Sequence, residues 1–295
     1  MKRVLLLFGL ALATPAILAQ KRPLTLDDIF VDGGPIGRTP QDGKWSPDGK
    51  LYTYILRSAD GSQGDLWALD PVSGKAEVLI DSATLSRLNP SIDRVITDER
   101  EKERLTRYSV AGYLWSPDSR AMLFISAGRL YIVDLTSKQA RSFLPSLNDL
   151  TDPKFSPDGT WISFVKGGDI WIAPATGGQP RQLTRGGSRN VLNGDLDWVY
   201  PEEFDVRTGY HWSPDSRQIV FLQLDQTDVG ETPIVDFTRR PHARVDMQKY
   251  PKAGEKNPEA RVGLVNLAGK QQWLDLSAEY IPRIQWADAR TVAVQ

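Results

Sequence analysis

The chain has 295 residues, 36 basic and 37 acidic, so its net charge of −1 gives no electrostatic footprint for a nucleic acid and leaves no long charged tail. It contains no cysteine, which excludes disulfides and a thiol nucleophile; a domain of this size must be held by its core and strand ladders. With 40% hydrophobic residues it can bury a large core, as one all-β domain or two smaller ones.

The chain opens with Lys2 and Arg3, followed by an apolar run from Val4 to Ala13 that is short for a bilayer, and a cleavage after Ala19 fits the small-residue rule. This pattern predicts a cleaved signal peptide over residues 1–19 and an exported mature chain, periplasmic or secreted. An uncleaved anchor is the alternative, disfavoured by the polar Gln20-Lys21-Arg22 that follows at once.

From there one pattern recurs: Trp45-Ser46-Pro47-Asp48-Gly49, Trp115-Ser116-Pro117-Asp118-Ser119, Phe155-Ser156-Pro157-Asp158-Gly159 and Trp212-Ser213-Pro214-Asp215-Ser216, with a worn copy at Trp286-Ala287-Asp288. Proline presets the second position of a turn, and Asp, Gly or Ser suits those after it. Apolar runs follow at Leu51 to Leu56, Ala121 to Ser126, Trp161 to Val165 and Gln218 to Leu222, so each copy predicts aromatic, turn, strand. Further strands are expected at 128–134, 168–173 and 181–184. The spacing of about 40 residues between Trp115 and Phe155 is one propeller blade of four short strands. The reading is an all-β propeller of about five or six blades, the wider gaps holding insertions or eroded markers.

Two segments break the strand rhythm. Residues 81–107 contain Asp98-Glu99-Arg100-Glu101-Lys102-Glu103-Arg104, a charge run suited to a helical insertion. Residues 193–209 precede the fourth copy and contain Asp197-Trp198-Val199-Tyr200-Pro201-Glu202-Glu203-Phe204. Neighbouring glutamates on a strand point to opposite faces, so bringing Glu202 and Glu203 to one ligand requires a turn or a helix start, which Pro201 at a first helical position supplies. Such carboxylates would suit a peptide's α-ammonium with its three donors. They could equally do no more than complement a helix dipole.

Catalytic machinery is missing from these residues: there is no Gly-x-Ser-x-Gly elbow, and the only histidines are His211, beside Trp212 in an expected strand, and His242 in a polar loop. No ligand spacing suggests a metal and no glycine-rich loop suggests a phosphate.

On Asp197 to Phe204, Thr208-Gly209-Tyr210-His211-Trp212-Ser213-Pro214, Tyr250-Pro251-Lys252-Ala253-Gly254, Asn257-Pro258 and the opening Leu24 to Phe30, the chain resembles the N-terminal propeller of the dipeptidyl peptidase IV family, serine exopeptidases of the prolyl-oligopeptidase clan. The resemblance implies that Glu202 and Glu203 bind the substrate's N-terminus. It further implies an arginine on the substrate carbonyl, which matches Arg104 best, with Arg107 and Arg100 as alternatives; as a plain helix residue Arg104 would pair with Glu101 or Glu103. It implies no cofactor, a peptide substrate with a free N-terminus, an eight-bladed propeller joined to an α/β-hydrolase domain, and often a homodimer. The expected organisation is therefore a signal peptide at 1–19 and a partial propeller at 20–295, with the Ser-Asp-His triad in a hydrolase domain absent from these residues. Release of Xaa-Pro dipeptides is the expected activity of the parent enzyme. Release of tripeptides and a non-catalytic exported propeller binding a peptide or protein are the alternatives.

Overall fold

The structure is a computed structural model and describes residues 23, 25–30, 39–57, 64–81, 84, 112–126, 129–237, 242–276 and 278–295. The signal peptide, most of the 81–107 segment, and with it Arg100, Arg104 and Arg107, lie outside the described residues. Contacts divide the chain into two units, residues 1–39 and 40–295. In the first, helix α1 (Leu26–Phe30) is capped reciprocally: Thr25 Oγ1 accepts the Asp28 N–H at 3.2 Å while the Asp28 carboxylate accepts the Thr25 N–H at 2.9 Å.

The second unit is a β-propeller. Its first blade is β1 (Gln41–Trp45), β2 (Tyr52–Arg57), β3 (Gly64–Leu69) and β4 (Ala76–Ile80); its second is β5 (Tyr113–Trp115), β6 (Ala121–Ser126), β7 (Arg129–Asp134) and β8 (Gln139–Phe143). The third is β9 (Thr151–Phe155), β10 (Trp161–Lys166), β11 (Asp169–Pro174) and β12 (Arg181–Gln182). All three are antiparallel meanders.

Each repeat places its aromatic residue at the end of a first strand and its Ser-Pro-Asp in the turn to the second. The serine hydroxyl donates to the aspartate at 2.5–2.7 Å in all four copies and accepts the N–H that opens the next strand. The hydroxyl of Ser46 pulls the Asp48 carboxyl down to about 2. The fifth position takes a left-handed backbone at Gly49, Ser119, Gly159 and Ser216. Where it is serine it also ties blades together: Ser119 Oγ accepts the Asp48 N–H and Ser216 Oγ accepts the Asp158 N–H, both at 3.0 Å.

In blades two to four the apolar runs are continuous because both faces are covered, whereas β2 and β3 of blade one alternate in burial. Met122 and Phe124 pack toward blade one while Leu123 packs toward blade three; Ile219 and Phe221 face blade three while Val220, Leu222 and Leu224 face the other way.

Blade four departs from the simple meander. Strand β15 (Gln218–Asp225) pairs along its whole length with β18 (Glu259–Asn266), which pairs with β19 (Gln271–Trp273). The other edge of β15 is shared by β13 (Val191–Asn193), opposite 223–225, and β14 (Tyr210–Trp212), opposite 219–221. The first strand of the blade is thus split, and residues 194–209 loop out of its middle with helix α2 (Val199–Glu203). Between β15 and β18 the chain makes a separate hairpin, β16 (Glu231–Asp236) with β17 (Arg244–Lys249). That hairpin accounts for the wide gap between Trp212 and Trp286. The described residues therefore form four blades and a start of a fifth, β20 (Ile284–Trp286) with β21 (Val292–Val294), rather than the five or six expected. The worn copy keeps its turn: Asp288 takes over the capping of Arg290 and Thr291 N–H.

Candidate functional site

The loop at 194–209 leaves and re-enters the sheet at one point. Leu222 of β15 donates its N–H to the Gly209 carbonyl at 2.8 Å, and its carbonyl accepts the Gly194 N–H at 2.7 Å. The two glycines form the neck. A Cβ on Gly209 would stand 2.6 Å from the Gly194 carbonyl oxygen, and Gly194, at φ +74, would press a Cβ to 2.7 Å from Ile170. Only glycines allow so close a pinch.

Beyond the neck, α2 is anchored on its inner face. Val199 and Tyr200 are buried with Leu192, Leu196, Val220, Leu222, Ile281 and Ile284 between blade four and the start of blade five. The Tyr200 hydroxyl accepts the Ile281 N–H at 3.2 Å and its ring meets Phe204, which in turn meets Tyr280. Trp198 packs against Tyr250 with ring centroids 4.2 Å apart and the planes tilted by 46°. Asp197, only 6% exposed, accepts the Tyr200 N–H at 3.2 Å. Burial pushes its carboxyl up to about 6 against the pull of the backbone hydrogen bonds.

The helix begins at Val199, so Pro201 is its third residue and not its first. The position suits proline, because amide groups in the first helical turn have no partner within the helix. Glu202 and Glu203 are the last two helical residues and both are exposed. Consecutive helical side chains diverge by about 100°, not the half-turn of a strand, so the two glutamates do not leave the chain on opposite faces. Glu203 gains nothing from the helix dipole there, since a helix C-terminus disfavours negative charge. Asp205, at φ +51, turns the chain away, and Arg207 binds its carboxylate at 2.8 Å.

His211 is half-buried in β14, with its imidazole pKa lowered by burial and then by the Lys154 charge; His242 is exposed. A cavity of about 520 Å³ between the turns of blades two and three is lined by Asp118, Arg141, Phe155 and neighbours, none of them in the 194–209 loop. Among the described residues no cluster of His, Cys, Asp and Glu could hold a metal, and no helix is long and apolar enough to cross a membrane.

Residues 125–295, more than half of the chain and all of the glutamate loop, match the family described as the dipeptidyl peptidase IV (DPP IV) N-terminal region. The chain belongs to that family. It is 25% identical over 274 residues to a Penicillium rubens protein named "Probable dipeptidyl-aminopeptidase B", covering 80% of this chain and 28% of the relative. It is 26% identical over 184 residues to dipeptidyl aminopeptidase A of Saccharomyces cerevisiae, covering 61% of this chain and 19% of that one. The crystal structure of Porphyromonas gingivalis dipeptidyl peptidase 4 superposes with a TM-score of 0.69 at 26% identity, over 93% of this chain and 38% of that protein. The chain thus spans well under half the length of these relatives. Their family likeness agrees with the motifs Asp197 to Phe204 and Tyr250 to Gly254, which the structure brings together through the Trp198–Tyr250 contact.

Sequence reasoning missed the residues that hold the loop: Gly194 and Gly209 at its neck, and Asp152 of blade three, which binds Thr208. A signal for Asp152 was present in the repeated Asp-x-Lys-aromatic of Asp42-Gly43-Lys44-Trp45 and Asp152-Pro153-Lys154-Phe155.

Proposed function

We propose that this propeller is the substrate-anchoring portion of a serine dipeptidyl peptidase, in which Glu202 and Glu203 bind the α-ammonium of a peptide. Arg104 would take the substrate's backbone carbonyl, and the triad would belong to an α/β-hydrolase domain beyond these residues. The observation that carries this reading is the pair of exposed carboxylates at the end of a helix locked to the core by its opposite face. One of them sits where neither packing nor the dipole accounts for a negative charge.

An α-ammonium, protonated below its pKa of about 8, offers three donors, and hydrogen bonds between ionised partners are roughly twice as strong as neutral ones. Held at a set distance from a nucleophile, such an anchor measures residues from the chain end, which converts binding into positioning. The 295 residues alone are expected to be inactive on Gly-Pro or Ala-Pro chromogenic substrates. In the test, a short peptide with a free amine binds the chain more tightly than its N-acetylated form, and Glu203→Gln removes the difference. Equal affinity for both peptides would overturn the assignment.

A further inference from the structure

We infer that Asp152 and Thr208 position the glutamate loop, so that blade three sets where Glu202 and Glu203 stand. Asp152 lies in β9 at φ +45, beside a register shift opposite Ser163 and Val165. Its carboxylate is divided between two blades. One oxygen pairs with Lys154 Nζ at 2.5 Å, and Lys154 lies over the Tyr210 ring, 3.7 Å from its centroid. The other oxygen accepts the Thr208 hydroxyl at 2.6 Å, while the Asp152 carbonyl accepts the Tyr210 hydroxyl at 2.5 Å.

Blades one and two carry a twin of this clip. Asp42, at φ +50, pairs with Lys44 at 2.7 Å; Lys44 lies over the Tyr113 ring; and the Tyr113 hydroxyl donates to the Asp42 carbonyl at 2.9 Å. Aspartate, lysine and tyrosine are therefore a blade-to-blade fastening in both places. At the third and fourth blades the same aspartate also holds Thr208, which stands next to the neck residue Gly209 and a few residues beyond Glu203. The exit of the loop is tied by that bond to the neighbouring blade, and the Val206 N–H, donated to the Tyr200 carbonyl at 3.0 Å, ties the segment between Thr208 and the glutamates to the helix. This inference rests on the reading of the glutamates as an amine anchor.

The test replaces Thr208 by valine, which keeps the shape and removes the donor, with Thr208→Ser as the conservative variant and Tyr113→Phe as a control on the twin clip. Hydrogen exchange is followed in residues 194–209, and the affinity ratio of free-amine to acetylated peptide is measured for each. Thr208→Val is expected to speed exchange within the loop roughly tenfold, the scale of one lost hydrogen bond to a charged group, and to lower the affinity ratio. Thr208→Ser is expected to restore both, and Tyr113→Phe to leave both unchanged. Unaltered exchange in the loop of Thr208→Val, or failure of serine to restore it, overturns the inference whatever the loop binds. Altered exchange with a wild-type ratio of one overturns the anchor reading and leaves the positioning of the loop established.

Discussion

Replacing Asp197 by asparagine exposes how the loop is held. The carboxyl is nearly inaccessible and its pKa rises from 3.8 to about 6 because burial penalises the ion more than the backbone donors repay. A carboxyl whose folded pKa is raised stabilises the fold fully below its unfolded pKa, and that contribution is lost as pH rises through the folded value. The window therefore runs from about pH 4 to about pH 6, and at ~1.4 kcal/mol per tenfold in proton affinity the loss amounts to about 3 kcal/mol. Asparagine keeps an acceptor for the Tyr200 N–H and does not titrate; any cost of its buried amide group is the same at every pH. Urea midpoints of wild type and Asp197→Asn, measured between pH 4 and pH 7.5, should thus diverge. The variant should gain about 3 kcal/mol relative to wild type across that range. Parallel pH profiles would refute the claim that the ionised carboxylate is buried at a cost beneath α2.

Three other perturbations follow from the same geometry. Gly209→Ala should destabilise the chain by about 2 kcal/mol in thermal melts, since its Cβ meets the Gly194 backbone at 2.6 Å. Gly49→Ala meets no atom within 4 Å and should cost only the left-handed backbone, about 1 kcal/mol. Ser216→Ala removes the partner of the Asp158 N–H and should lower stability by about 1 kcal/mol, matched by Ser119→Ala at the first pair of blades.

The propeller was legible because each blade repeats a local code. Serine, proline and aspartate build the turn within five residues, and the aromatic residue before them closes a first strand, so neighbouring residues suffice to read it. The number of blades was not, because the β16–β17 hairpin is inserted between the second and third strands of blade four and stretches the interval that marks a blade. The start of α2 was misjudged by two residues: proline is tolerated anywhere in a first turn, and what begins the helix is the burial of Val199 and Tyr200 against strands distant in sequence. The split first strand and the Asp152–Thr208 bond could not be inferred from neighbours. The bond joins residues 56 positions apart, the two half-strands meet only on the shared edge of β15, and only the folded register brings them together.

The glutamates themselves stood out by type and flank, while their support did not. The sequence pattern identifies two acids beside proline; the structure adds that their helix is buried on one side and that its exposed end carries both.

The claim that these acids grip a charged chain end is tested most directly by the pH dependence of peptide affinity. For a peptide with a free amine, affinity should be level from pH 6 to about 7.5 and then fall, approaching tenfold per pH unit once the free ammonium loses its proton near pH 8. The acetylated peptide should bind weakly with no such fall. A free-amine peptide whose affinity ignores pH across this range, or matches that of its acetylated form, would contradict the account.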